Sequence, residues 1–317
     1  MFVRVATLSL TATLFTLLVG CPANAEKTPP AKTASKVAKA PAAAATKAVL
    51  WKIESKNVGP SWVLATVATP AGHEAEFKPE VEPALLSAKY IGTEFYSDMN
   101  SSVELAQLIL TKEATLAKIL GEERFKQVVP MLEARGYPRA VADKLQPWAV
   151  VMLLMTPKAG KEIPPMDEYL YQYSAEMQKP YFAIESVGEQ LKPYQSLAAD
   201  KQIVLIDTLI KKAPELDQAN SRNMTAYIGY EVEQIQPLAQ LEAALPSTEQ
   251  AWFKAWHHEV KAKRSQSMLE RLKPALAKGD IFFTMHASQL TGEDGLLKTL
   301  QKAGYTVSPV PAVAASK

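Results

Sequence analysis

This 317-residue chain predicts an α/β (α+β) fold, a central mostly mixed β-sheet built from strands at both ends of the chain and flanked by a large helical middle section. Short runs rich in β-branched and aromatic residues occur near residues 49–67 and 90–96, and again near 281–285 and 305–307. Runs of that kind bounded by turn residues read as strands. Between them apolar residues recur at helical spacing, so distant parts of the chain must close one sheet.

The N-terminus has the layout of a secretory signal peptide. Met1 to Arg4 give a short positive start, Val5 to Val19 form a weakly polar to apolar run, and the small residues Gly20, Cys21, Ala23 and Ala25 follow. That run is too short to span a bilayer permanently. The next most apolar stretch, Trp148 to Met155, is bounded by Lys144 and Lys158. Leu18-Val19-Gly20-Cys21 resembles a lipobox, while Ala23-Asn24-Ala25 before Glu26 fits ordinary A-x-A cleavage. The signal therefore ends at residue 20, with Cys21 lipidated, or at residue 25. Cys21 is the only cysteine, so it forms no internal disulfide, and lipid attachment supplies it with a role. Residues 21–48, from Glu26 on almost entirely Ala, Lys, Pro, Thr and Ser, read as a flexible tether. The expected domain spans residues 49–310, with a flexible tail over 311–317 and no second linker. Localisation follows as exported, either periplasmic or a membrane-anchored lipoprotein of a bacterial envelope.

Charge removes one class of partner. The chain is formally +2, but Arg4 carries +1 and the tether's five lysines against Glu26 carry +4, which leaves about −3 for the rest. A domain of that balance lacks the basic face that offsetting phosphates requires, so nucleic acid is excluded as a partner.

Taken in order, Val49 to Ile53 and Ser61 to Val67 read as strands joined by a turn at Asn57-Val58-Gly59-Pro60. A third strand run covers Tyr90 to Tyr96. Phe182-Ala183-Ile184 is a short strand, and Ile281 to Met285 and Tyr305 to Val307 are the last two. Ser101 and Ser102 are placed to cap a helix carrying Leu105, Leu108 and Ile109 on one face. Further helices are expected over Pro147–Met155, Asp167–Met177, Val187–Leu191, Lys201–Lys212, Thr225–Gln240, Thr248–Leu276 and Glu293–Ala303. The last of these stops at Gly304.

Six short segments, in order, resemble the TraB/GumN family, related in fold to the Tiki proteases and more distantly to the ChaN-like haem-binding proteins. They are Leu50-Trp51-Lys52-Ile53, Gly92-Thr93-Glu94-Phe95, Leu145-Gln146-Pro147-Trp148, Met166 to Leu170, Lys179 to Leu191, and Gly292 to Val307. The resemblance implies a divalent metal held by a strand-end acid and the histidines of two G-x-x-H motifs, activating water for hydrolysis. Here the first motif reads Ala65-Thr66-Val67-Ala68 and the second His286-Ala287-Ser288-Gln289, so both histidines are missing. The family's Arg-Asn pair reads Arg264-Ser265.

Glu94, His286, Gln289 and Arg264 are the candidate site residues that the resemblance leaves. A relocated metal set would consist of Glu94, His73 and His286. His257 and His258 point about 100° apart on one helix and read as a solvated surface. Asp167 reads as a helix cap and Glu185 as an acid at a helix start, and Trp252 and Trp256 read as a core stripe. No Ser-His-Asp spacing, G-x-G-x-x-G or P-loop is present. The expected function is a non-catalytic binding or accessory factor of the envelope, with no cofactor. Its partner would be an unknown envelope peptide, glycan or protein, and it would touch membrane only through a lipid anchor. The alternative is a divergent metal-dependent hydrolase or peptidase, the one case in which a divalent metal is expected.

Overall fold

A computed structural model describes residues 47–68, 78–96, 98–158 and 166–313. The signal, Cys21, His73 and all but the end of the tether lie outside the described residues.

Six strands form one sheet: β1 (Leu50–Glu54), β2 (Ser61–Thr66), β3 (Tyr90–Thr93), β4 (Tyr181–Ala183), β5 (Ile281–His286) and β6 (Thr306–Pro309), in the order β4-β3-β5-β2-β1-β6. The fold is α/β with a helical middle, and the sheet draws its strands from both ends of the chain. β4, β3, β5 and β2 are parallel, whereas β1 runs antiparallel to β2 and β6. A parallel strand covered on both faces is apolar along its length. β5 meets that demand, with Ile281, Phe282, Phe283 and Met285 buried. Register places Gly92 of β3 between Phe283 and Phe182, and a Cβ at Gly92 would collide with the Phe182 ring.

The parallel register also decides where chemistry can gather. β2, β3, β4 and β5 all end on one edge of the sheet, with Thr66 opposite His286 and Thr93 opposite Ala183. Crevices at the carboxyl ends of parallel strands are the usual ligand positions of open α/β sheets. The strand run expected to reach Tyr96 leaves the sheet after Thr93, whose hydroxyl donates to the Phe95 carbonyl at 2.7 Å. That turn frees the Glu94 side chain from the ladder and directs it to the strand ends.

Several helix boundaries differ from expectation for local reasons. Asp98, not Ser101 or Ser102, caps the helix Met99–Ile109, its carboxylate accepting from the Ser101 N–H at 2.8 Å. The segment expected as one helix over Thr225–Gln240 is two, Ala213–Ile228 and Pro237–Ala244. Gly229 ends the first, Tyr230 takes a positive φ of 62°, and Pro237 starts the second, where its missing N–H costs nothing. Helices Val81–Ser87, Leu116–Leu120, Glu122–Glu133, Arg139–Ala142 and Ala287–Leu290 add to those expected.

Among the described residues two apolar clusters hold the elements together. One lies on the sheet and includes Leu50, Ile91, Phe282 and Phe283. The other lies among the helices and includes Phe125, Leu132, Val150 and Leu205. The helix Ser247–Leu276, 30 residues long and so roughly 45 Å from end to end, joins them. Its Phe253 packs in the helical cluster, while Met268, Leu269, Leu272 and Leu276 pack on the sheet. Among the described residues no helix is long and apolar enough to cross a membrane.

Candidate functional site

Glu94, one residue past β3, is buried where the parallel strands end. Its Oε1 accepts the His286 backbone N–H at 2.5 Å and its Oε2 accepts the Gln190 amide at 3.1 Å. Its own carbonyl accepts the Glu185 N–H at 2.7 Å, which draws the segment after β4 against the segment after β3. Glu185 is buried and follows from that pairing. It stands just before Ser186, which caps the helix Val187–Gln195 in a capping box with Glu189. The first-turn acid of that helix is therefore Glu189. Glu185 instead pairs with Arg264, whose Nη2 lies 2.7 Å from Glu185 Oε2 and 3.6 Å from Glu94 Oε2.

Arg264 projects from the long helix between its two packed halves. Burial works against its charge, but Glu94 and Glu185 outweigh burial and hold it more firmly protonated than usual. Burial raises the Glu185 carboxyl, the Arg264 hydrogen bond and charge oppose that shift, and the Glu94 charge adds to it. The remaining Arg264 nitrogen, Nη1, donates to Gln289 Oε1 at 3.3 Å. The Gln289 amide in turn donates to Ser265 Oγ at 2.8 Å and to the Lys261 carbonyl at 3.1 Å. Ser265 Oγ donates to the Asp294 carbonyl at 2.7 Å. A buried amide needs this complement of partners, and here every group of the Gln289 amide has one.

His286, the last residue of β5, caps the helix Ala287–Leu290. Its Nδ1 accepts from the Ser288 N–H at 3.3 Å and lies 2.8 Å from Ser288 Oγ. A neutral ring with Nδ1 accepting carries its proton on Nε2. Burial lowers the His286 pKa, Arg264 and Lys261 lower it further, and only Glu94 opposes them. Asp167 lies within the first turn of the helix Met166–Glu176 and accepts from Thr284 Oγ1 of β5 at 2.6 Å. Reading it as a cap is therefore incorrect. Burial raises its carboxyl to about 7, with the Thr284 bond opposing and the Glu94 charge adding.

His257 corrects another expectation. It is buried, its Nδ1 lies 3.5 Å from Glu242 Oε2, and its ring meets Phe253 edge-on. His258, half exposed, faces Asp294 at 2.5 Å. Trp252 and Trp256 pack against the helical cluster as a core stripe.

The strand ends thus bring together Glu94, His286, Gln289 and Arg264. They add Glu185 and Gln190, residues of the Lys179–Leu191 segment whose part in the site the sequence did not disclose. His73 lies outside the described residues. A family model described as TraB/PrgY/gumN matches residues 49–309. The chain belongs to the TraB/PrgY/gumN family. No curated protein and no solved structure matches it.

The divalent ion implied for the TraB/PrgY/gumN family does not fit the residues described here. Catalytic zinc sites use three protein ligands and an open position. Both Glu94 oxygens already accept hydrogen bonds, the Nδ1 lone pair of His286 faces Ser288, and a guanidinium stands 3.6 Å from Glu94. Among the described residues no group of three His, Cys, Asp or Glu side chains has a metal-binding arrangement. The Ser288–His286 contact closes a helix turn, and Glu94 meets the His286 backbone N–H, so it does not orient the imidazole as the acid of a nucleophile–base–acid set would.

Proposed function

We propose that this TraB/PrgY/gumN family member is an exported envelope protein that acts as a non-catalytic binding or accessory factor on a degenerate metallohydrolase-like scaffold. Its partner is an envelope peptide, glycan or protein. The observation that carries the reading is the state of Glu94, whose two oxygens accept from the His286 N–H and the Gln190 amide. A strand-end acid used in this way orients the chain rather than a metal-bound water. The signal-like start, Cys21 and the Lys/Ala/Pro tether support export and, through Cys21, anchoring.

The test is elemental analysis of the purified mature protein, together with melting in the presence of zinc and manganese. The expected result is no stoichiometric divalent ion and no metal-dependent rise in melting temperature, in the parent and in Glu94→Ala alike. A stoichiometric ion would favour the metal-dependent hydrolase instead. So would a metal-dependent rise that disappears in Glu94→Ala, His286→Ala or His73→Ala.

A further inference from the structure

Two buried carboxylates, Glu94 and Glu185, face one another across the strand ends, and a cation stands between them. Their side chains are 8% and 4% exposed, and that of Arg264 is 19% exposed. Adjacent buried carboxylates stay ionised together only with a compensating charge, because each raises the cost of ionising the other and one otherwise keeps its proton. Arg264 supplies that charge with fixed geometry. Nη2 and Nε address Glu185 Oε2 and Oε1 at 2.7 and 3.4 Å, Nη2 also faces Glu94 at 3.6 Å, and Nη1 reaches Gln289 Oε1 at 3.3 Å. This is planar, forked recognition of a guanidinium, which a compact ammonium does not reproduce.

We propose that Glu185, Glu94 and Gln289 form a guanidinium-binding pocket and that Arg264 is its resident cation, supplied by the chain itself. The inference deepens the non-catalytic reading by naming the cation that stands at the site. A second cation beside Glu94 would meet the guanidinium charge at once. Removing the guanidinium empties the pocket and leaves two carboxylates that select a free guanidinium ion over other small solutes.

The test uses the full mature chain and its Arg264→Ala variant. Losing one partner of a buried charge pair should lower the melting temperature by about 10 °C. Guanidinium chloride at subdenaturing, millimolar concentration should then raise the melting temperature of Arg264→Ala by several degrees while leaving the parent unchanged or lower. Sodium chloride at equal ionic strength, methylammonium chloride and urea, a neutral planar analogue, should give no such rise. Arg264→Ala combined with Glu185→Gln should recover stability and lose the guanidinium response. Should Arg264→Ala fail to fold, its refolding should depend on guanidinium, and Arg264→Met with Glu185→Gln should fold without it. Rescue by sodium chloride or urea, an Arg264→Ala variant that melts with the parent, or a double variant as unstable as the single one would overturn the proposal. A zinc response in the parent would count against the non-catalytic reading, while the guanidinium comparison in Arg264→Ala would still decide the pocket.

Discussion

Gln289 and Ser265 are hydrogen-bonded to each other at 2.8 Å with both side chains buried. These are two of the positions at which the sequence departs from the pattern it resembles, and they meet across the gap between the short helix after β5 and the long helix. Neither substitution is isolated. Gln289 fills the space with an amide that Arg264, Ser265 and the Lys261 carbonyl satisfy, and a fully satisfied buried network specifies one arrangement.

Gln289→Ala should therefore cost about 1–3 kcal/mol, because it leaves a guanidinium N–H of Arg264 without its acceptor and the Ser265 hydroxyl without the amide that donates to it. Ser265→Ala should cost less. In urea unfolding, the double variant should depart from the sum of the two single losses by at least ~0.5 kcal/mol, as groups of one network do. Additive losses would show that the two residues act independently.

Stability should fall as pH rises from about 4 to about 7 through Asp167. Its carboxyl titrates near 3.8 when unfolded and near 7 in the fold, mainly because of burial. Below the lower value both states hold the proton and the contribution is complete. Between the two values only the unfolded chain ionises, so stability declines, and above 7 no further loss occurs. The difference has an upper bound of about 4 kcal/mol. Asp167→Asn keeps an acceptor for Thr284 and should be more stable than the parent at pH 8, with a flatter profile between pH 4 and pH 7. Equal melting temperatures at pH 8 would place the Asp167 carboxyl in water.

Phe283→Ala in the sheet cluster and Phe253→Ala in the helical cluster should each cost about 3–5 kcal/mol, since both rings are fully buried. Guanidinium or urea unfolding followed by circular dichroism checks this. A loss below ~1 kcal/mol at either position would mean that its cluster tolerates the cavity.

Cys21 and the tether make a prediction that, apart from Lys47, falls outside the described residues. Intact-mass measurement and fractionation of native protein should find an acylated, membrane-associated form that Cys21→Ser abolishes. Trypsin should cut first among Lys27, Lys32, Lys36, Lys39 and Lys47. A soluble form beginning at Glu26 would show cleavage after Ala25 instead.

All six strands were legible because each is a short apolar run punctuated by turn residues. Helices Pro147–Met155 and Ser247–Leu276 were legible from apolar spacing. The helix Glu122–Glu133 was missed although Phe125, Val128, Val129 and Leu132 recur on one face; it tolerates Pro130 inside it, as the long helix tolerates Pro274. The break between Ile228 and Pro237 was missed because apolar spacing continues across it. Glu94 was found through a segment that carries the resemblance, and Arg264 through the half-kept Arg-Asn pair. Glu185 stood in such a segment too, but a local explanation as a helix-start acid concealed its partner 79 residues away.

The sequence by itself determined the six strands, part of the helices, the family and the loss of both motif histidines, since these depend on residue type and on neighbours within a few turns. The tertiary structure alone decided what the surviving groups do. Glu94 and His286 are 192 positions apart, and Arg264 is 79 from Glu185. Only the parallel register of β3, β4 and β5 sets their strand ends side by side. Packing of the long helix on both clusters then places Arg264 among the buried acids. Burial and mutual charge follow from that placement, and they turn side chains that read as separate candidates into one ion-paired network.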